Sequence, residues 1–236
     1  MAIESRSGSE YMERVTDRDL DELRRLAIQM GALAEAILAK ALRAAWDGNE
    51  VLAREVRSDD LEIDRLDIEI DEAILRLLAL RAPVARDLRL VLATKSLATD
   101  LERVGDLSRN VAECATRWAE HPRSGFPPVL RKLADDSRRM LRNALESYAS
   151  LDAQLARRVI ADDDRVDGAE RAVLAESMKW IHDHPEEAEQ AVNCIFIASS
   201  LERVGDHATN IAEDVVLATD ALNLKHAGKL GGVEGR

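Results

Sequence analysis

Residues 101–113 read LERVGDLSRNVAE and residues 201–213 read LERVGDHATNIAE, identical at nine of thirteen positions. The chain is a duplication, and a repeat that keeps two acids, an Asn and a mid-helix Gly in register has kept a site as well as a fold. Outward from these segments the alignment continues. With a shift of 103, Leu52-Ala53-Arg54-Glu55-Val56 meets Leu155-Ala156-Arg157-Arg158-Val159, Asp60 meets Asp163, and Asp64 meets Asp167.

Apolar residues recur at three and four spacing almost throughout, Gly and Pro are scarce, and no alternating strand pattern occurs, so the expected class is all-α. Six helices are expected as two tandem three-helix repeats. The first repeat, 17–121, holds helices from about Asp17 to Trp46, Glu50 to Leu80, and on to about Glu120, with Pro83 in the first turn of the third. Asp47-Gly48-Asn49 supplies the first turn. The second repeat, 129–222, holds Leu130–Ser150, Asp152–His182 and Pro185–Leu222. Residues 1–16 are expected to be a flexible start. Residues 122–128, with Pro122, Gly125, Pro127 and Pro128, form the linker. The Gly-rich tail, 223–236, is expected to be disordered.

Of the 236 residues, 45 are Asp or Glu and 33 Lys or Arg, a net charge of −12. Nucleic acid is disfavoured as a partner, because phosphate backbones are bound through clustered basic residues. The two cysteines, Cys114 and Cys194, are not equivalent in the repeats and form no C-x-x-C motif, which fits a reducing compartment. The polar, acid-containing N-terminus carries no secretory pattern. No apolar run approaches the roughly 20 residues of a membrane helix, so direct membrane insertion is not expected.

The acids fall on helix faces at 100° per residue. With Asp60 at zero, Asp64 lies at about 40°, Asp67 at about 340° and Asp71 at about 20°. Ile63, Leu66, Ile70 and Ile74 flank this ladder on one side, and Leu61, Ile68 and Leu75 on the other. On the next helix Glu102, Asp106, Asn110 and Glu113 share a face. The second repeat reproduces both stripes with Asp163, Asp167 and Glu170, and with Glu202, Asp206, Asn210 and Glu213. Two carboxylates about 5 Å apart repel by roughly 3 kcal/mol at an effective dielectric near 20, so such stripes need a counter-charge or must protonate.

A bound cation meets that need. Carboxylates with an Asn carbonyl, and no His or Cys on these faces, suit hard oxygen-ligated ions such as Mg, Mn, Ca or iron better than structural zinc. His207 is turned away from the stripe, and the Glu-x-x-His pairs of ferritin-like di-iron proteins are missing, which disfavours redox catalysis. The competing reading is a solvated face or an ion-pair ladder, for which Arg65, Arg103, Arg109 and Arg203 are near enough in sequence. Paired ladders, flanked by apolar residues and present twice, favour metal. Gly105 and Gly205 each cost about 1 kcal/mol in a helix relative to Ala. They either admit a neighbouring backbone or carboxylate or relieve crowding in the core.

The pattern Pro83-Val-Ala-Arg-Asp87-Leu88-Arg89, then Leu101-Glu102-Arg103-Val104-Gly105-Asp106, then residues 201–213, resembles the PhoU family, over nearly the whole span from about Asp17 to Leu222. The resemblance implies two three-helix repeats, a homodimer, and metal held through E/D-x-x-x-D pairs, here Asp60/Asp64, Glu102/Asp106, Asp163/Asp167 and Glu202/Asp206. The ions expected are divalent or trivalent: iron, manganese, magnesium or zinc. It further implies a cytoplasmic, non-enzymatic negative regulator of the phosphate-starvation response, peripheral to the membrane through its partners. Those partners would be the ATPase subunit of the high-affinity phosphate ABC transporter and the sensor histidine kinase of a two-component system. Pro185-Glu186-Glu187-Ala188-Glu189-Gln190 departs from the family's Pro-x-x-x-Asp-Leu-Arg pattern in the second repeat. The alternatives are a metal-independent helical adaptor and, behind it, a metal-dependent enzyme.

Overall fold

The computed structural model describes residues 3–120 and 125–224. Within them the chain forms six α-helices: α1 Ile3–Asp47, α2 Glu50–Arg81, α3 Ala85–Glu120, α4 Pro128–Ser150, α5 Ala153–Asp183 and α6 Ala188–Asp220. Helices α1, α2 and α3 pack on one another, as do α4, α5 and α6. The two groups meet chiefly along α3 and α6, with α1 touching α4. A continuous core of Leu, Ile, Val and Ala runs through both groups, including Leu97, Leu101, Val104, Leu201 and Val204.

The repeat is visible in the turns. Gly48 takes a left-handed φ of 59°, and Asn49 caps α2 by accepting from the Val51 and Leu52 amides. At the equivalent positions Leu151 takes φ 52° and Asp152 caps α5 by accepting from Gln154 and Leu155. Asn and Asp do this because their side-chain oxygens satisfy amides that lack an intrahelical partner. Leu151 holds the left-handed conformation without glycine's freedom, at about 1 kcal/mol.

Several helix boundaries differ from the sequence reading. The segment expected to be a flexible start is helical from Ile3, where no Pro interrupts a helix nucleated further along the chain by packing. Pro83 lies in the connection between α2 and α3 rather than in the first turn of α3. Ala82 ends α2 at φ 45° and Ala85 has φ 47°, so the chain turns on both sides of the proline. Pro128 is the first residue of α4, where its missing N–H costs nothing. Pro185–Glu187 form a separate 3-10 turn before α6, and α6 ends at Asp220 with Ala221 left-handed. Residues 122–124 of the expected linker and 225–236 of the expected tail lie outside the described residues.

Two further contacts, one of them fully buried, join the repeats. The Tyr148 hydroxyl on α4 lies 2.6 Å from Thr94 Oγ1 on α3, and burial pushes the Tyr148 phenol up to about 12. Gly31 on α1 lies under Leu145 on α4, leaving no room there for a larger residue unless the leucine end shifts. No helix of the described residues is long and apolar enough to cross a membrane.

Candidate metal centre

The stripes sit on α2 and α3 in the first repeat and on α5 and α6 in the second, each pair a hairpin that brings its acids face to face. Buried Val166 and Ile63 anchor the inward sides of α5 and α2. The acids one turn away are thereby held at the helix–helix seam. In the second repeat, carboxylate oxygens of Asp163, Asp167 and Asp206 all lie within 4.8 Å of one another. Thr209 Oγ1 donates to Asp163 Oδ1 at 2.9 Å, fixing that carboxylate from α6. Arg171 approaches Asp167 from the exposed side, at 3.8 Å.

The electrostatics of this trio are those of crowded acids whose mutual repulsion outweighs the nearby positive charge. Desolvation, then Asp206, Glu170, Asp167 and Asp163, push the Glu202 carboxyl up to about 7. Asp206 is raised by desolvation and by Asp163 and Asp167, against a smaller pull from His207 and Arg203. Asp163 is raised by desolvation, with the Thr209 hydrogen bond opposing. The oxygen-only donor set fits a hard cation, which would replace mutual repulsion with attraction to a common centre. Among the described residues this is the only group of three or more such side chains whose oxygens converge in this way.

The first repeat holds the same acids differently. Arg109 reaches both Asp60, at 2.9 Å, and Asp106. Arg103 lies 3.4 Å from Glu102 and 3.6 Å from Asp106. Lys95 pairs with Asp71 at 2.6 Å and with Asp67 at 3.4 Å. Burial still pushes the Asp60 carboxyl upward, although the Arg109 guanidinium pulls it down. Glu102 is raised by desolvation and Asp106, with Arg103 opposing. Asp64 is exposed, and Asn110 and Glu113 line a groove of about 440 Å³ with Arg54, Arg57 and Arg109. The ion-pair reading therefore describes this repeat's geometry.

Two further placements, those of Asn210 and Thr209, were out of reach of helix-face reasoning. Asn210 turns its amide toward Asp100 on α3, 3.3 Å away, rather than into the trio. His207 Nδ1 contacts the same Asp100 oxygen at 2.8 Å, in agreement with its expected direction away from the stripe. Thr209, which belongs to none of the expected ligand sets, holds Asp163; its signal in the sequence was the register difference from Arg109. The glycines divide between the two explanations offered for them. A Cβ on Gly105 would collide with the Asp60 carboxylate, whereas one on Gly205 would meet Val166 Cγ1 at 3.1 Å in the core.

Comparison with known proteins fits this architecture. The PhoU domain model matches residues 27–115 and 130–215. The phosphate-specific transport system accessory protein PhoU homolog of Pseudomonas putida is 33% identical over 228 residues, covering 96% of this chain and 89% of that protein. The homolog from Zymomonas mobilis is 36% identical over 206 residues, covering 86% and 85%. Among solved structures, PhoU from Pseudomonas aeruginosa superposes with a TM-score of 0.84 at 34% identity, covering 87% of this chain and 99% of that one. The phosphate transport system regulatory protein PhoU from Streptococcus pneumoniae gives 0.83 at 26% identity, covering 89% and 99%. With the duplicated motif, the six-helix fold and both matched domains in place, the chain belongs to the PhoU family of accessory and regulatory proteins, with that family's general, non-catalytic role in phosphate regulation.

Proposed function

We propose that this chain is a cytoplasmic negative regulator of the phosphate-starvation response that works by protein contact. It couples the ATPase subunit of the high-affinity phosphate ABC transporter to a two-component sensor histidine kinase, modulates uptake, and favours repression when phosphate is plentiful. It acts as a homodimer held at the membrane only through its partners. A divalent or trivalent ion, of the iron, manganese, magnesium or zinc group, would be held by Asp163, Asp167 and Asp206 beside Glu202 and Glu170. That ion would fix the α5/α6 pairing and with it the surface presented to a partner.

The observation that carries the metal part is the convergence of three carboxylates within 4.8 Å across the α5/α6 seam. The relatives' names, accessory to phosphate-specific transport, support the partner class. The metal-independent adaptor reading keeps one specific observation in its favour, the Arg and Lys counter-charges on Asp60, Asp67, Glu102 and Asp106 in the first repeat.

The test is a phosphate-repressible alkaline phosphatase reporter in cells lacking their own copy of this gene, complemented with wild type or with Asp163→Asn/Asp206→Asn. Wild type should restore repression at high phosphate and the double variant should not. Equal repression by both would remove metal from the mechanism, and no repression by either would remove the regulatory role. Affinity capture of the transporter ATPase and the kinase domain checks the partners directly.

A further inference from the structure

The two repeats share most of their stripe acids, with Leu174 in register with Asp71, but not the same counter-charges. In register with Arg109 the second repeat carries Thr209; in register with Lys95 it carries Ile195; in register with Arg57 it carries Ile160. Three cations around the first acidic seam thus meet one hydroxyl and two aliphatic residues around the second, where Arg171, in register with Ile68, lies 3.8 Å from Asp167 on the exposed side. The cation that matters most is Arg109. Its guanidinium spans the seam from α3 to α2, touching Asp60, whose side chain is only 3% exposed, and Asp106 on its own helix.

Gly105 makes this arrangement possible. Any side chain there would strike the Asp60 carboxylate, so the absent Cβ lets that buried acid lie against α3 within reach of Arg109. The equivalent Gly205 faces Val166 and has no such part in the second seam. A metal ion at the Asp60/Asp106 pair would have to share its two anions with a fixed positive charge, or displace it and leave the guanidinium to find other partners. A guanidinium cannot give up its charge to make room.

We propose that Arg109 is a resident counter-cation that occupies the place of a metal ion in the first repeat, so that this chain takes metal in its second repeat alone. The choice is set by one register position, Arg109 against Thr209. The first hairpin is thereby locked whatever the metal supply, and the second is left to respond to it. The second-repeat half of this statement rests on the function proposed above; the exclusion of metal from the first repeat does not.

The experiment uses the full chain, stripped with chelator and titrated with Mn²⁺, with bound metal read by elemental analysis after desalting and free Mn²⁺ by electron paramagnetic resonance. The background is Asp163→Asn/Asp206→Asn, which disables the second seam. In that background the first repeat is expected to hold no stoichiometric Mn²⁺. Adding Arg109→Thr should raise first-repeat affinity at least tenfold, to about one equivalent bound, and further Asp60→Asn/Asp106→Asn should remove it. Arg109→Lys should remain metal-free.

Mn²⁺ held by the background with Arg109 intact, and lost on Asp60→Asn/Asp106→Asn, would overturn the proposal. So would a folded Arg109→Thr variant, checked by circular dichroism, that gains no metal. Should that variant not fold, Arg109→Gln is read in the same way. Wild-type protein without Mn²⁺ would sink the second-repeat metal site, while the gain on Arg109→Thr would still decide the role of Arg109.

Discussion

Arg109 and Thr209 occupy the same register of the duplicated helix, and each reaches the equivalent acid of its own repeat, Asp60 and Asp163, at 2.9 Å. One contact is an ion pair and the other a hydrogen bond from an uncharged hydroxyl. Around this difference the Asp60/Asp106 pair has a cation between its carboxylates and the Asp163/Asp206 pair has a hydroxyl beside one of them.

Thr209→Arg should convert the second seam to the first. Metal at about one hundred times its dissociation constant stabilises a folded protein by roughly 2.7 kcal/mol if it ignores the unfolded chain. Wild type should therefore melt higher on addition of Mn²⁺ and Thr209→Arg should not, while the metal-free variant melts above metal-free wild type. Differential scanning calorimetry reads both. An undiminished metal response in Thr209→Arg would show that Thr209 does not mark an open site.

The Glu202 carboxyl, raised to about 7, contributes to the pH dependence of the metal-free protein in the same direction as the raised carboxyls of Asp60, Glu102, Asp163 and Asp206. A group whose folded value lies above its unfolded value binds more protons when folded, so its contribution favours folding at low pH. It is lost as pH rises from about 4.5 through about 7. Apo protein should thus melt lower at pH 8 than at pH 5.5, and Glu202→Gln or saturating Mn²⁺ should flatten that decline. A decline of equal size in Glu202→Gln would assign it to other groups.

The paired glycines should respond unequally to alanine. Gly105→Ala forces the Asp60 carboxylate away from α3 and should cost about 1–3 kcal/mol, the usual range for overpacking. Gly205→Ala needs Val166 to give by a few tenths of an ångström, and the helix propensity gained, about 1 kcal/mol, should leave it near neutral. Urea denaturation of the two variants settles the order. Equal costs would show that Asp60 moves freely.

Tyr148→Phe should cost about 1 kcal/mol, the net value of one buried hydrogen bond. Thr94 Oγ1 already donates to the Leu90 carbonyl at 2.8 Å, so Tyr148 is the donor in their contact and Thr94 keeps a partner when the phenol is lost. Thermal melting of Tyr148→Phe beside Thr94→Val, combined as a double-mutant cycle, measures the coupling.

The helix count, the turn at Asp47-Gly48-Asn49 and the placement of the acids on shared faces were legible because helical periodicity and turn chemistry are local. The start of α1 at Ile3 was not, because a polar segment without an apolar stripe reads alike as a loose end or as the extension of a packed helix. Nor could sequence place Asn210 against Asp100, since that contact depends on how α3 lies on α6. The inequality of the two seams was present in the alignment as Arg109 against Thr209. Its meaning needed the distance from Arg109 to Asp60, which no helix-face projection contains.

The helices that carry the duplicated motif, α3 and α6, are also the chief contact between the repeats, and they run antiparallel, with Asp100 beside His207 and Asn210. In a symmetric dimer of single repeats, each such contact would occur twice by rotation. Here it occurs once, because the partners of Asp100 and His207 under that symmetry are Ser200 and Leu107. Fusing two copies into one chain makes their association independent of concentration and frees the joint from having to complement itself. A pair such as Asp100 and His207 can then fix which copy is which, and each half can specialise without its twin following.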